Sequence, residues 1–264
     1  MRILFIGDIV GKAGRHAVAS SLPGLRKELN PDCVIANVEN IAHGTGITRS
    51  TLEEIRVAGV DAFTSGNHVW TKPEVLEIFA EGTIPLVRPA NFPTGSAGKG
   101  SIVIRVGART MQIINVQGRV FMNQHLDDPF RTFERELSEH AGEHPDAVFV
   151  DFHAEVTSEK VAFGLWADGR ASAIVGTHTH IGTADQRILP GGTAYITDVG
   201  MVGIQNGVLG VDKDVIIKQF LTQQPARHTL PESGTCICNM VCIDIDASTH
   251  KATAIQRIDR IVEV

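Results

Sequence analysis

No apolar run in this chain approaches the roughly 18 residues that a membrane span needs, and no stretch is basic enough to follow a nucleic-acid backbone. The first absence excludes a transmembrane helix. The second, with a net charge of -6, excludes an extended nucleic-acid surface. A small phosphate ligand stays compatible, because bound metal ions dominate the field of a local site. Cysteine is sparse: there are four, with no Cys-x-x-Cys pair. Cys33 lies in a strand-like run. Cys236, Cys238 and Cys242 share one parity, so an extended chain turns them to the same side. Without a paired spacing or a fourth nearby ligand, they read as buried reduced thiols rather than a zinc site. The N-terminal apolar run is broken at Asp8 and has no cleavage site, so no signal peptide is expected and the cytoplasm is the expected location. Repeats, low-complexity runs and linkers are missing too. The glycine-rich stretch 95–100 lacks the spacing and the Ser/Thr of a P-loop.

What is present is an ordinary globular composition, 43% hydrophobic and 20% charged. It suffices for a sizeable core in a single domain over residues 1–264. Strand-like and helical runs alternate through the first two-thirds. Residues 3–7 read as strand, and a helical stretch then runs towards Leu29, with a kink or break at Pro23. Residues 33–37 read as strand, 48–58 as a helix capped by Thr48, 60–64 as strand, and 72–80 as a helix with Pro73 in its first turn. Strands are expected over 101–106 and 111–116, joined by a turn at 107–110. Helix is expected over 129–140 and 158–168, strand over 147–151 and 172–176. The tail reads as strands at 193–197, 236–246 and 252–262, with a helix around 212–221 and a polar excursion at 223–235. This order predicts a layered α/β fold with a mixed sheet or two packed sheets.

Seven residues with metal-ligand chemistry stand at the ends of these strand-like runs: Asp8, Glu39, Asn40, Asn67, His153, His178 and His180. Gly7-Asp8 places a carboxylate after the first run. Asn37-Val38-Glu39-Asn40 offers a carboxylate able to bridge two metals, with an amide oxygen beside it. Gly66-Asn67-His68 brings a further amide oxygen and a histidine that need not bind metal. Asp151-Phe152-His153 and Gly176-Thr177-His178-Thr179-His180 complete the set; in the second, two histidines one residue apart share a side of an extended chain. Oxygen and nitrogen ligands delivered to one sheet edge suit hard or borderline metals, and that edge is where open α/β sheets bind ligands.

In this order the motifs resemble the calcineurin-like metallophosphoesterase superfamily, over residues 7 to 180. Two motifs depart from the superfamily pattern. Val10 stands where the first motif has histidine, and Asn37-Val38-Glu39-Asn40 replaces Gly-Asp-x-x-Asp. These departures, with residues 151–160 and 197–201, look like the bacterial YmdB-type subfamily, associated with 2′,3′-cyclic nucleotide phosphodiesterase activity. The resemblance implies a four-layer αββα sandwich with two mixed β-sheets and a two-metal centre. By position, Asp8, Glu39, Asn40 and His180 would hold the first metal, and Glu39, Asn67, His153 and His178 the second. Iron or manganese is the implied metal, since mixed N/O sites suit both. The implied reaction is hydrolysis of a small phosphodiester, a 2′,3′-cyclic nucleotide, by metal-activated hydroxide with His68 as general acid. The family also implies a homo-oligomer.

Other polar residues are read alongside these. His43, Thr45 and Thr179 are candidates for contacts to substrate phosphate, or for fixing their own loops. Arg15 and Arg119 are read mainly as surface arginines, and Trp70 and Phe92 mainly as core. The competing functions are a phosphomonoesterase, protein phosphatases included, and a non-catalytic metal-dependent regulatory protein.

Overall fold

A computed structural model describes residues 1–246 and 248–264. The chain begins with β1 (Arg2–Ile6), β2 (Asp8–Ile9), α1 (Gly11–Leu29), β3 (Cys33–Asn37), α2 (Arg49–Ala58), β4 (Ala62–Thr64) and α3 (Val75–Glu81). It continues through β5 (Ser101–Val106), β6 (Arg109–Gln117), α4 (Pro129–His140), β7 (Ala147–His153), α5 (Thr157–Ala167), β8 (Ala173–Thr177), β9 (Arg187–Ile188) and β10 (Ala194–Ile196). It closes with β11 (Met201–Ile204), α6 (Lys213–Thr222), β12 (Thr235–Ile245) and β13 (Ala252–Glu263).

The strands form two mixed sheets. One has seven strands in the order β2-β11-β12-β1-β3-β4, with β13 on β12; the other has six in the order β5-β6-β7-β8-β10-β9. In each, parallel strands (β1, β3, β4 and β6, β7, β8) adjoin antiparallel ones. Three separate apolar clusters show the layering. Ile3, Phe5, Ile35 and Val241 of the first sheet pack on Ile113, Phe149, Val175 and Ile196 of the second. The alternate residues Leu4, Ile6, Val34 and Ala36 face Ala17, Leu22, Leu52 and Ile55 of α1 and α2. Ile114, Val150, Phe152 and Ile174 face Phe133 and Phe163 of α4 and α5. The period-two alternation of each strand thus serves two cores at once, and the fold is the expected four-layer sandwich. Cys236, Cys238 and Cys242 face the helical side together and are buried, as their shared parity requires. No helix among the described residues is long and apolar enough to cross a membrane.

Local signals explain most boundaries. Thr48 caps α2 in a reciprocal box with Thr51, and Gly59 ends it in the left-handed region. Asp128 caps α4, with Pro129 in its first turn.

Pro23 does not break α1. It lies in an exposed stretch of the helix, so the carbonyl it leaves without a partner can face water. The helix expected from Lys72 starts at Val75, because residues 72–74 form a turn closed by the Val75 N–H on the Lys72 carbonyl (3.1 Å). The short strands β2, β9 and β11 were not expected. β2 and β11 pair across a contact that only glycine allows: a Cβ on Gly7 would lie 2.0 Å from the Gly200 carbonyl oxygen. The glycines of 95–100 have a packing reason as well. A Cβ on Gly98 would meet the Phe79 ring at 2.3 Å.

Candidate metal centre

The carboxyl ends of β1, β3 and β4 meet those of β7 and β8, and the chemistry gathers where they meet. Glu39 and His153 are buried there, with Glu39 Oε1 3.1 Å from His153 Nε2. Asn67 Oδ1 lies 2.8 Å from the same nitrogen, and His178 Nδ1 3.1 Å from it. Ligand atoms of Glu39, His153 and His178 all fall within 4.8 Å of one another. Asp8 adjoins this group: the His178 N–H donates to its Oδ2 (3.2 Å), and His180 Nε2 stands 3.9 Å from its Oδ1. Gly66 makes the approach possible, since a Cβ there would lie 2.3 Å from His153 Nε2 and 2.5 Å from Glu39 Oε2.

Each histidine has one ring nitrogen tied away from the centre. The Thr177 hydroxyl donates to Asp151 Oδ1 (2.6 Å), so its oxygen must accept from His153 Nδ1 (2.9 Å). Asp151 is itself fixed by Asn37 Nδ2 (3.0 Å) and the Thr64 hydroxyl. His178 Nε2 faces Glu155 Oε2 at 3.1 Å. His180 Nδ1 faces the Leu209 carbonyl at 3.2 Å, an acceptor only. The remaining nitrogens, His153 Nε2, His178 Nδ1 and His180 Nε2, point their lone pairs inward in the neutral rings. A partner on the far nitrogen is what orients histidine ligands. Two buried oxygens, Asp8 Oδ1 and Asn40 Oδ1, have no hydrogen-bond partner. Asn40 is held by its Nδ2 on the Gly44 carbonyl (2.9 Å), which turns its oxygen the other way. Inward nitrogens, two carboxylates and orphaned amide and carboxylate oxygens fit cations of hard or borderline character.

The electrostatics agree. Burial pushes the Asp8 carboxyl up to about 6, against the pull of His180 and His153. Burial also opposes the charge on Glu39, but His153 outweighs it and holds Glu39 down to about 2. Burial alone would lower His153; Glu39 more than reverses this and raises it to about 9. Burial and the neighbouring His153 lower His178 to about 3. In protein stripped by a chelator, His153 therefore carries a proton at neutral pH that an incoming cation must displace. Apparent metal affinity is expected to rise by about tenfold per pH unit between about 6 and 9, more steeply below 6 where Asp8 is protonated as well, and to level off above 9. The stability sign matches. A raised folded value contributes stability below about 6.5, lost as pH rises through 9. Calorimetry of metal uptake in buffers of different ionisation enthalpy reads the released proton; uptake without release at neutral pH would contradict the pairing.

A family model described as YmdB-like protein matches residues 4–258. The chain belongs to the YmdB-like family. It is 50% identical over 258 residues to the 2′,3′-cyclic-nucleotide 2′-phosphodiesterase of Bacillus subtilis strain 168, covering 98% of this chain and 96% of that protein. Two crystal structures superpose closely. A hypothetical protein from Thermus thermophilus has a TM-score of 0.92 and 40% identity, covering 99% of each chain. A novel phosphatase from Mycoplasma pneumoniae has a TM-score of 0.92 and 34% identity, covering 100% of this chain and 94% of that one.

In this YmdB-like chain, the loop carrying His178 and His180 rests on a buried ion pair that motif reading did not weigh. His178 and His180 both have left-handed backbone, φ +97° and +64°, which costs about 1–3 kcal/mol each outside glycine. Asp198 Oδ2 accepts the Thr179 N–H (3.2 Å) and hydroxyl (2.7 Å), and Lys160 Nζ donates to the same oxygen (2.6 Å) and to the Thr177 carbonyl (2.7 Å). Lys160 and Asp198 are 1% exposed. A usable signal existed: Lys160 falls in register with Phe163, Gly164 and Ala167 on the buried stripe of α5. Lys160→Met leaves Asp198 as an unpaired buried charge. It is expected to cost about 3–5 kcal/mol in urea unfolding; a loss under about 1 kcal/mol, as for surface pairs, would show the pair to be incidental.

The remaining candidates are placed as follows. Thr179 gives both its N–H and its hydroxyl to Asp198. His43 and Thr45 line a cavity with His68 and His180. Arg15 is not a free surface arginine: it bonds Glu54 (2.6 Å) and the Ile41 carbonyl (2.5 Å), beside Asn40. Arg119 pairs with Asp128 at the start of α4. Trp70 packs edge-on against Phe79 and Phe92, centroids 5.8 and 5.5 Å apart, against the helical core.

Proposed function

We propose that this chain is a dinuclear-metal phosphodiesterase acting on small phosphodiesters, with nucleoside 2′,3′-cyclic phosphates as its substrate class. Its family membership makes it a hydrolase of the phosphodiesterase and phosphatase type; the metal number, substrate and residue roles are our reading. Asp8, Glu39, Asn40 and His180 hold one ion, and Glu39, Asn67, His153 and His178 the other, with Glu39 shared. The observation that carries this is the set of three histidines, each with its outer nitrogen tied: the inner nitrogens of His153 and His180 face Glu39 and Asp8, and that of His178 faces His153 Nε2. The mixed N/O set favours iron or manganese. Residues 1–264 act as one domain, supported by the pairing of β1 with β12 from opposite ends of the chain and by the core between the two sheets.

Bound metal ions would supply Lewis-acid charge neutralisation at phosphorus and a water acidified towards neutral pH. The protein's own groups do the rest. The His68 N–H donates to Glu39 Oε2 (2.8 Å), which fixes its backbone to the centre. Its half-buried ring lines the cavity beside His180. From there a ring N–H gives its proton to the departing ribose oxygen as water adds to phosphorus and that P–O bond breaks, the proton lost by the water passing to solvent. The product is a nucleoside monophosphate that retains the second ester bond. His43 and Thr45, which line the same cavity, contact the phosphate in this reading.

The test is one preparation of metal-loaded protein offered 2′,3′-cyclic AMP and, separately, adenosine 3′-monophosphate. Conversion of the cyclic diester to a monophosphate without release of inorganic phosphate supports the reading. Phosphate release from the monoester with an untouched cyclic diester would replace it with a monoesterase.

A further inference from the structure

Between the metal centre and α6 lies a cavity of about 560 Å³, within the range of small-molecule sites. One end carries His68 and His180. The walls beyond are apolar: Val10, Leu209, Val211, Ile216, Phe220 and Leu230. The lining also includes His228 and Gln219, with His228 Nε2 3.2 Å from Gln219 Oε1.

Several features mark this as a built site. The 223–235 excursion, polar in sequence, returns to bring Leu230 onto the loop that follows Glu39. Leu230 packs directly over Gly44, where a Cβ would lie 2.7 Å from Leu230 Cδ1. Leu209 has left-handed backbone (φ +54°), and its carbonyl accepts from His180 Nδ1. The residue that orients a candidate metal ligand therefore also forms the cavity wall. Phe220 is 72% exposed and Leu209 42%; an aromatic ring left in water beside an apolar cavity forgoes about 1.5–3 kcal/mol of burial.

The chemistry of the lining selects the occupant. Among the described residues that line the cavity none is lysine or arginine, so with the phosphate at His43 and Thr45 the part of the ligand that meets the apolar walls is uncharged, and a second phosphate there is disfavoured. The amide oxygen of Gln219 accepts from His228 Nε2–H, which leaves the Gln219 amide N–H as a donor and, on another edge of the ring, His228 Nδ1 as an acceptor. A flat, largely apolar group bearing a donor and an acceptor, joined to a phosphate at the other end, meets these conditions.

We propose that this cavity is the nucleobase subsite of the centre, with the base packed against Phe220 and Leu209 and its polar edge read by Gln219 and His228. The inference rests on the phosphate-ester reading above and adds the group that selects the substrate: nucleotides over phosphate esters without a base.

The test is calorimetric binding of adenosine 3′-monophosphate and of ribose 5-phosphate to the metal-loaded full chain, as wild type, Phe220→Ala and His228→Ala. Phe220 and His228 are exposed, so both variants keep the fold. Wild type is expected to bind the nucleotide at least about tenfold more tightly than the sugar phosphate. Each variant should lose about tenfold for the nucleotide alone, in line with base stacking on an aromatic ring. Equal wild-type affinities for the two ligands, or equal losses for both in the variants, would overturn the subsite. Selective nucleotide binding without turnover of any cyclic diester would keep the subsite and sink the phosphodiesterase reading.

Discussion

Replacing His68 by alanine is expected to lower turnover of 2′,3′-cyclic AMP by about 10²–10⁴-fold, the usual range for one positioned proton donor, with metal content unchanged. The two halves of this expectation have separate structural grounds. The link from His68 to the centre is its backbone N–H on Glu39, and alanine keeps that bond. The ring lines the cavity at its metal end and supports no other side chain by a hydrogen bond among the described residues. Removing it should therefore take away a proton donor and leave the ligand set intact. Metal analysis and single-turnover kinetics on the same samples decide the matter. Full activity at normal loading would remove His68 from the reaction, and lost activity with lost metal would make it structural.

Glu39→Ala is expected to empty the centre, leaving fewer than about one ion per chain by elemental analysis. Glu39 is the one carboxylate in contact with both His153 and the His68 backbone, and it holds His153 in its charged or metal-bound form. Without it, the inward nitrogens of His153 and His178, 3.1 Å apart, lose the negative charge that makes a cation between them favourable. Burial then drives His153 towards its neutral form. Glu39→Gln keeps the shape but leaves one neutral oxygen acceptor, and should also lose metal. Unchanged metal content in both variants would show that Glu39 does not bridge.

Much of this centre could be read from the chain. Strand-like runs ending in Asp8, Glu39, His153 and His178 marked which edge of which strands would hold ligands, because a parallel strand in a layered fold has one end that opens onto a site. Alternation within those runs reflected the two faces each strand buries. Reading was weaker wherever the decisive contact was remote. Nothing near Thr177 in sequence shows that its hydroxyl links Asp151 to His153, and nothing near Gly7 shows that it packs on Gly200. Trp70 and Phe92, read as core aromatics, are half-buried and pack against the helical core, whereas the exposed ring at the cavity is Phe220, from a helix whose neighbourhood only folding defines.

The amino-acid order set the types of candidate ligand, their succession and the strand ends that carry them, since these depend on local periodicity and on side-chain chemistry. Tertiary structure alone decided which nitrogen of each histidine faces inward, which buried ion pair steadies the His178–His180 turn, and what walls the cavity beside them. Those depend on contacts between residues tens to hundreds of positions apart, such as Asp8 with His178 and Gly44 with Leu230. Their distances are fixed by packing two sheets together, which no local pattern encodes.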